Sequence, residues 1–323
     1  RAAAVEFARR QLGPRMAVWL LTLSTAIVWT QSAVVFGLLN PADARIMAVP
    51  GSYSGAILGG TLFGIGMILT RGCSGRLLVL AATGNLRSVV NGLVFAVVAQ
   101  MALAGWLAPL RNFVAALWVT PGGRNVNILA ALHLPSNAGL VIGLSFAALA
   151  LSLARRNQIG TAQLFMASGV GFAIALGWIL TSTLSAISFE PVTVQSATFT
   201  GPSANTLMYF LTSDPVLKFE IGLIGGVFLG AFSASVLARE FQLQGFDGPA
   251  PMRRGMIGAA LMGFGGMLAG GCAVGAGVTG GSVLSLTAWV ALFCMWLGAG
   301  LTDRVLLATL EGPTEMPLAA SHK

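Results

Sequence analysis

Charged residues are scarce: Asp, Glu, Lys and Arg make up 9% of the 323 residues, against roughly 25% in a soluble domain. So little charge cannot clothe a water-facing surface. Histidine occurs twice, as His133 and His322. Cysteine occurs three times, as Cys73, Cys272 and Cys294, with no CxxC spacing. The cysteines therefore read neither as a disulfide framework nor as a zinc site, and neither metal nor cofactor is expected. The ten acids leave the middle of every long apolar run empty, so a relay of intramembrane carboxylates has no candidate. Glu220 and Asp303, at the ends of such runs, are expected to pair with the nearby Lys218 and Arg304.

Apolar residues take up the room, at 56% of the chain and a mean hydropathy of +0.83. At about twenty residues per crossing, eight segments qualify: 16–39, 52–72, 87–108, 137–154, 161–184, 216–238, 254–271 and 285–302. The stretches 73–84 and 273–284 are too short to cross and too apolar for solvent, and read as re-entrant half-helices. The Pro-, Gly- and Thr-bearing stretch 185–215 argues against one continuous helix. Residues 109–136 read as an interfacial connector anchored by Arg111 and Trp118. The reading is an all-α polytopic membrane protein, one integral membrane domain over 1–323. Its repeat covers about 16–108 and 216–302, with connecting spans across 109–215.

The net charge of +8 does not point to nucleic acid, because the arginines lie between apolar runs and form no patch. Fourteen of the eighteen Lys and Arg fall in one set of alternate connections, Arg1 and Lys323 among them. Only Arg45, Arg111, Arg124 and Lys218 fall in the other. The positive-inside bias then puts both termini in the cytoplasm.

The repeat centres on cysteine. With Cys73 set on Cys272, residues 57–73 match 256–272 at seven of seventeen positions, including Gly59/Gly258, Gly64/Gly263, Gly66/Gly265 and Gly72/Gly271. Chance would give roughly two. After a three-residue gap, Thr83-Gly84 matches Thr279-Gly280. Under the charge-derived orientation the two copies are inverted, a design that puts a substrate site at the repeat interface. The glycines alone also suit close helix packing, whereas the recurring Gly-Cys pairs point to function. Cys294, with no partner motif, reads as a packing residue.

Two thiols in a pathway offer weak donors and soft, polarizable contacts to a sulfur-bearing anion, weak enough to release it at each station. The candidate pathway residues are Cys73, Cys272, Gly72, Gly271, Arg71, Ser74, Gly75, Arg76, Gly275, Gly277, Thr83 and Thr279. Gly72 and Gly271 are expected to supply a positive φ where each helix stops. Arg71 and Arg76 flank the first thiol only, to focus anions or to snorkel to headgroups. A membrane sulfurtransferase or thiol oxidoreductase using Cys73 would want a neighbouring base or resolving cysteine, and none lies nearby in sequence. A soft-metal permease would want clustered Met or His, and the twelve methionines are scattered.

At "GTLFGIGMILTRGCSG" (60–75), "GFGGMLAGGCAVGAG" (263–277), "GFAIALGWILTSTL" (171–184) and "SATFTGPSANTLM" (196–208), the chain resembles the YeeE/YedE family of sulfur-transport membrane proteins. The resemblance implies a bacterial inner-membrane protein of inverted halves that takes up thiosulfate or a related sulfur anion. Cys73 and Cys272 would make the transient S–H contacts. It also implies a small sulfur carrier protein as a possible cytoplasmic partner.

Overall fold

In the computed structural model of the chain, residues 2–310 are described apart from 136, 190, 214–216 and 247, with side chains to 306. Arg1, His322 and Lys323 lie outside the described residues. Among the described residues, fourteen α-helices run in chain order: α1 (Ala2–Ala8), α2 (Pro14–Val35), α3 (Arg45–Ala48), α4 (Tyr53–Leu69), α5 (Ser74–Ala82), α6 (Leu86–Ala104), α7 (Ala108–Ala116) and α8 (Ile128–Ala131). They continue with α9 (Ala138–Arg156), α10 (Thr161–Ile187), α11 (Thr200–Leu211), α12 (Phe219–Leu237), α13 (Pro249–Leu268) and α14 (Leu286–Leu310). A π-helical segment, Ala273–Gly280, lies between the last two. The described residues hold isolated β-bridges but no strand.

Among the described residues, eight helical stretches are long and apolar enough to cross a membrane, and they fall on the eight expected segments. Their starts follow local chemistry. Ser52 caps α4 by accepting the Gly55 N–H at 2.8 Å, and Asn85 caps α6 by accepting the Ser88 N–H at 2.9 Å. Each side-chain oxygen satisfies a donor that the first turn leaves unpaired. The connector 109–136 contains α7 and α8, with Trp118 against Tyr53 at 5.0 Å. The stretch 185–215 runs extended past Val194–Thr198 and then forms α11.

Glycine sets the centre of the bundle, where α4 packs against α13 and α14, and α13 against α6. A Cβ on Gly59 would stand 2.6 Å from Gly265 O and Ala269 N, and one on Gly265 would stand 2.7 Å from Gly59 O and Phe63 N. Gly66 and Gly258 meet in the same reciprocal way, so α4 and α13 run antiparallel. Gly64 lies against Met295 O and Ala299 N of α14, and Gly263 against Phe95 O and Ala99 N of α6. Backbone meets backbone at each site, which only glycine permits.

Two expected ion pairs are replaced. Glu220 pairs with Arg45 at 3.2 Å and Asp303 with Arg9 at 2.9 Å. Folding brings in arginines that are distant in sequence, and both carboxylates are buried. Glu220 also accepts a hydrogen bond from Asn205 Nδ2. A buried carboxylate needs such partners.

Candidate functional site

Each cysteine stands where a long helix has ended and a short one begins. Cys73 is the N-cap of α5 and Cys272 of the π-helical segment. The left-handed residue that ends each long helix is Arg71 (φ 61°) or Gly270 (φ 79°), one position before the expected glycine. The helices cap at Thr70 and Ala269, and the residue just past the cap is the one that turns left-handed. Gly72 and Gly271 therefore serve differently. A Cβ on Gly72 would touch only the Arg76 side chain, at 3.5 Å, whereas one on Gly271 would meet the Ala276 N at 2.8 Å.

The Thr83-Gly84 and Thr279-Gly280 match does not mark equivalent places. The turn after α5 has its left-handed residue at Gly84 (φ 97°), eleven residues after Cys73. The turn before α14 has it at Leu284 (φ 56°), twelve after Cys272. Winding in π rather than α form absorbs the extra residue. Thr83 Oγ1 donates to Leu80 O at the end of its own helix, away from the site. Thr279 Oγ1 donates to Ala197 O.

Segment 195–200, non-helical up to the start of α11 at Thr200, threads between the two motifs. A Cβ on Gly275 would run into Thr198, one on Gly75 would stand 3.0 Å from the Phe199 ring, and one on Gly266 would stand 2.9 Å from Thr200 Oγ1. Adjacent residues on one strand of chain thus touch the two motif segments. Both cysteines pack against one hydrophobic cluster that includes Phe63, Met67, Phe199 and Ala276. Cys272 is buried and its Sγ accepts the Gly275 N–H at 3.3 Å, which leaves its own S–H to donate. Cys73 is half-buried. The hydroxyls of Ser74 and Thr200 are buried without a partner. Buried polar groups are normally paired, so these two mark a place for something polar.

A cavity of about 420 Å³ opens beside the second motif, at the end where α4 begins and α13 stops. Gly270, Gly271, Gly275 and Thr279 line it, with Thr198, Ser196, Gln195 and Asn125. Arg45 and Arg111 stand on its wall. Partial burial pushes the Arg111 guanidinium below its ordinary pKa, a desolvation cost that a bound anion would offset. Asn125 donates to Ile46 O, Ser285 Oγ and Thr287 Oγ1 at 2.9, 3.0 and 2.7 Å, tying the floor together. The volume is that of a small-molecule site, roughly 300–1,000 Å³.

Of the sequence-derived residues, Ser74, Gly75, Gly271, Gly275 and Thr279 gather with the thiols around segment 195–200 or the cavity. Gly277 packs on Leu292, Arg76 is exposed and Thr83 closes a helix. Sequence reasoning missed Arg45, Thr198 and Thr200 as site residues. The signal for the threonines was the irregular stretch itself, tolerated at membrane depth only where it is buried or lines a cavity. Cys294 lies under Gly60 in the α4–α14 contact, as a packing residue would.

The profile of the family described as Sulphur transport matches residues 1–301. The chain belongs to the sulphur transport family. It is a membrane transporter of that family. Two curated proteins named thiosulfate transporter TsuA are similar to it. The one from Spirochaeta thermophila is 28% identical over 302 residues, covering 88% of this chain and 85% of its own. The one from Escherichia coli K12 is 24% identical over 320 residues, covering 90% and 86%. These family members are transporters and not enzymes.

Proposed function

We propose that this protein imports thiosulfate or a closely related sulfur-bearing anion across the bacterial inner membrane, by transient S–H contacts at Cys272 and then Cys73. The observation that carries the reading is the pair of cysteine N-caps on short helices whose glycines face adjacent residues, Thr198 and Phe199. A helix N-terminus carries partial positive charge and suits an anion. A thiol beside it gives a soft contact that releases readily. The unpartnered hydroxyls of Ser74 and Thr200 add donors between the stations. Arg45 and Arg111 would draw the anion into the cavity next to Cys272.

We further read the molecule as one transport domain of two inverted halves, about 16–108 and 216–302. The reciprocal contacts favour this: Gly59 on Gly265 answers Gly66 on Gly258, and Gly64 on Met295 and Ala299 answers Gly263 on Phe95 and Ala99. Such pairs are what a two-fold relation between the halves would produce. The arginine distribution favours both termini in the cytoplasm, with the cavity outside. A small sulfur carrier protein would then receive the anion at the cytoplasmic end. Uptake of radiolabelled thiosulfate into proteoliposomes containing this protein alone tests the reading. Uptake no faster than in protein-free vesicles would refute it.

A further inference from the structure

Away from the cysteines, the short helix α1 packs against both α14 and α2. Ala8 seats on Gly300, where an added Cβ would stand 2.8 Å from the Ala8 Cβ. Phe7 meets Trp296 edge-on at 5.2 Å, and Trp296 meets Trp19 of α2 at 4.7 Å. Beside these contacts lies a second cavity, of about 470 Å³, that shares no residue with the one beside Cys272. Phe7, Leu12, Trp296, Leu297 and Leu301 line it, and Arg10 and Arg304 stand on its wall. Phe7, Leu12, Leu297 and Leu301 are each about half exposed, so the cavity opens on the outside of the bundle.

The span that carries this cavity fixes its depth. The crossing part of α14, Leu286–Leu306, has 21 residues, about 31 Å by helical rise. That matches a hydrocarbon core of roughly 30 Å. Trp296 lies about 15 Å along it, at the middle, and Arg304 about 27 Å along, at the interface. Arg304 Nη2 donates to Ala8 O at 2.9 Å and Arg9 pairs with Asp303 at 2.9 Å, so Arg10 stands at the same level. The cavity thus runs through one leaflet, from midplane to headgroup depth, with guanidinium groups at its outer end. The nearby acids are engaged elsewhere: Asp303 holds Arg9, and Glu6 accepts the Met16 N–H at 2.8 Å at the start of α2. Among the described residues, no carboxylate pairs with Arg10 or Arg304.

We propose that this cavity binds one anionic glycerophospholipid, with an acyl chain along Leu301 and Leu297 down to Trp296 and the phosphate between Arg10 and Arg304. The bilayer is the medium onto which the cavity opens, so a lipid chain is what reaches it. Depth, apolar lining and charge match a single lipid molecule of one leaflet. Guanidinium contacts to a phosphate are charge-assisted and forked, and basic pockets between transmembrane helices take anionic headgroups. The bound lipid staples α1 onto α14. The arginine distribution puts the site in the cytoplasmic leaflet, but the site depends neither on that orientation nor on the transport reading.

The test incubates full-length protein in detergent with equal amounts of phosphatidylglycerol and phosphatidylethanolamine and counts retained lipid by native mass spectrometry. One phosphatidylglycerol per chain is expected, in preference to phosphatidylethanolamine. Arg10→Gln with Arg304→Gln should weaken its binding about tenfold, and Leu301→Trp, which fills the groove, should remove it. Arg239→Gln with Arg253→Gln takes the same charge from exposed arginines elsewhere and should leave binding intact. Without added lipid, both double variants should unfold close to the wild-type temperature. Added phosphatidylglycerol should then raise that temperature for wild type and the Arg239/Arg253 variant but little for the Arg10/Arg304 variant, so misfolding cannot mimic the loss. Wild-type retention by the Arg10/Arg304 variant overturns the site. Equal loss in the Arg239/Arg253 variant overturns it too, as diffuse charge attraction, and so does equal retention of the two lipids. Phosphatidylglycerol binding that appears only after residues 311–323 are deleted would mean that the chain's own C-terminal segment fills the cavity, and the proposal fails.

Discussion

Replacing Gly265 by Ala should separate the two helices on which the candidate site hangs. The new Cβ would stand 2.7 Å from Gly59 O and Phe63 N and 3.0 Å from Leu62 Cβ. Carbon contacts relax at about 3.5–4.0 Å, so α13 must back away from α4 by roughly half an ångström or more. Two of the three neighbours are backbone atoms, which cannot rotate aside. Overpacking of this kind costs about 1–3 kcal/mol, offset by the ~1 kcal/mol that alanine gains over glycine in a helix. The net loss is up to about 2 kcal/mol. Gly225→Ala on α12 is the control, since a Cβ there meets nothing within 4 Å and only the propensity gain remains. Thermal unfolding in detergent, followed by size-exclusion, should rank Gly265→Ala below wild type and Gly225→Ala at or above it. Thiosulfate uptake per folded molecule should fall with Gly265→Ala alone, because α13 leads directly into Cys272. A Gly265→Ala protein as stable and as active as Gly225→Ala would refute the close-packed crossing.

Cys272→Ser keeps an acceptor for the Gly275 N–H, so it should fold at least as well as wild type, while Cys272→Ala should lose about 1 kcal/mol with the cap. Both should transport thiosulfate roughly tenfold or more slowly, and full uptake by the serine variant would show that the soft thiol is not needed. Arg45→Gln with Arg111→Gln should raise the thiosulfate KM and flatten its dependence on ionic strength, as expected when steering charge is removed; an unchanged salt profile would remove these arginines from the capture step. An impermeant thiol reagent should label a single cysteine introduced at position 156 only from the cytoplasm and at 218 only from outside, and labelling of both from one face would contradict the crossing count between them.

The spans were legible because the bilayer demands long apolar runs, and eight such runs became eight helical stretches. The breaks at Cys73 and Cys272 were legible from the repeated Gly-Cys pair. Residue partnership was less so. Glu220 and Asp303 found Arg45 and Arg9 because burial, not adjacency, decides which cation a carboxylate meets. The Thr-Gly match misled because a single residue absorbed by π winding shifts the register after Cys272. No residue type in the sequence announces that shift. The positive φ fell on Arg71 and Gly270 because helix capping assigns it to the residue just past the cap. The role of Thr198 and Thr200 emerged only when segment 195–200 was seen between the motifs.

The central claim is that two thiols pass a sulfur anion between them. Its most direct test is initial-rate thiosulfate uptake in proteoliposomes, normalised to folded protein, for wild type, Cys73→Ala/Cys272→Ala and Cys294→Ala. The account predicts near-background uptake by the double variant and wild-type uptake by Cys294→Ala. Wild-type uptake by the double variant would contradict it.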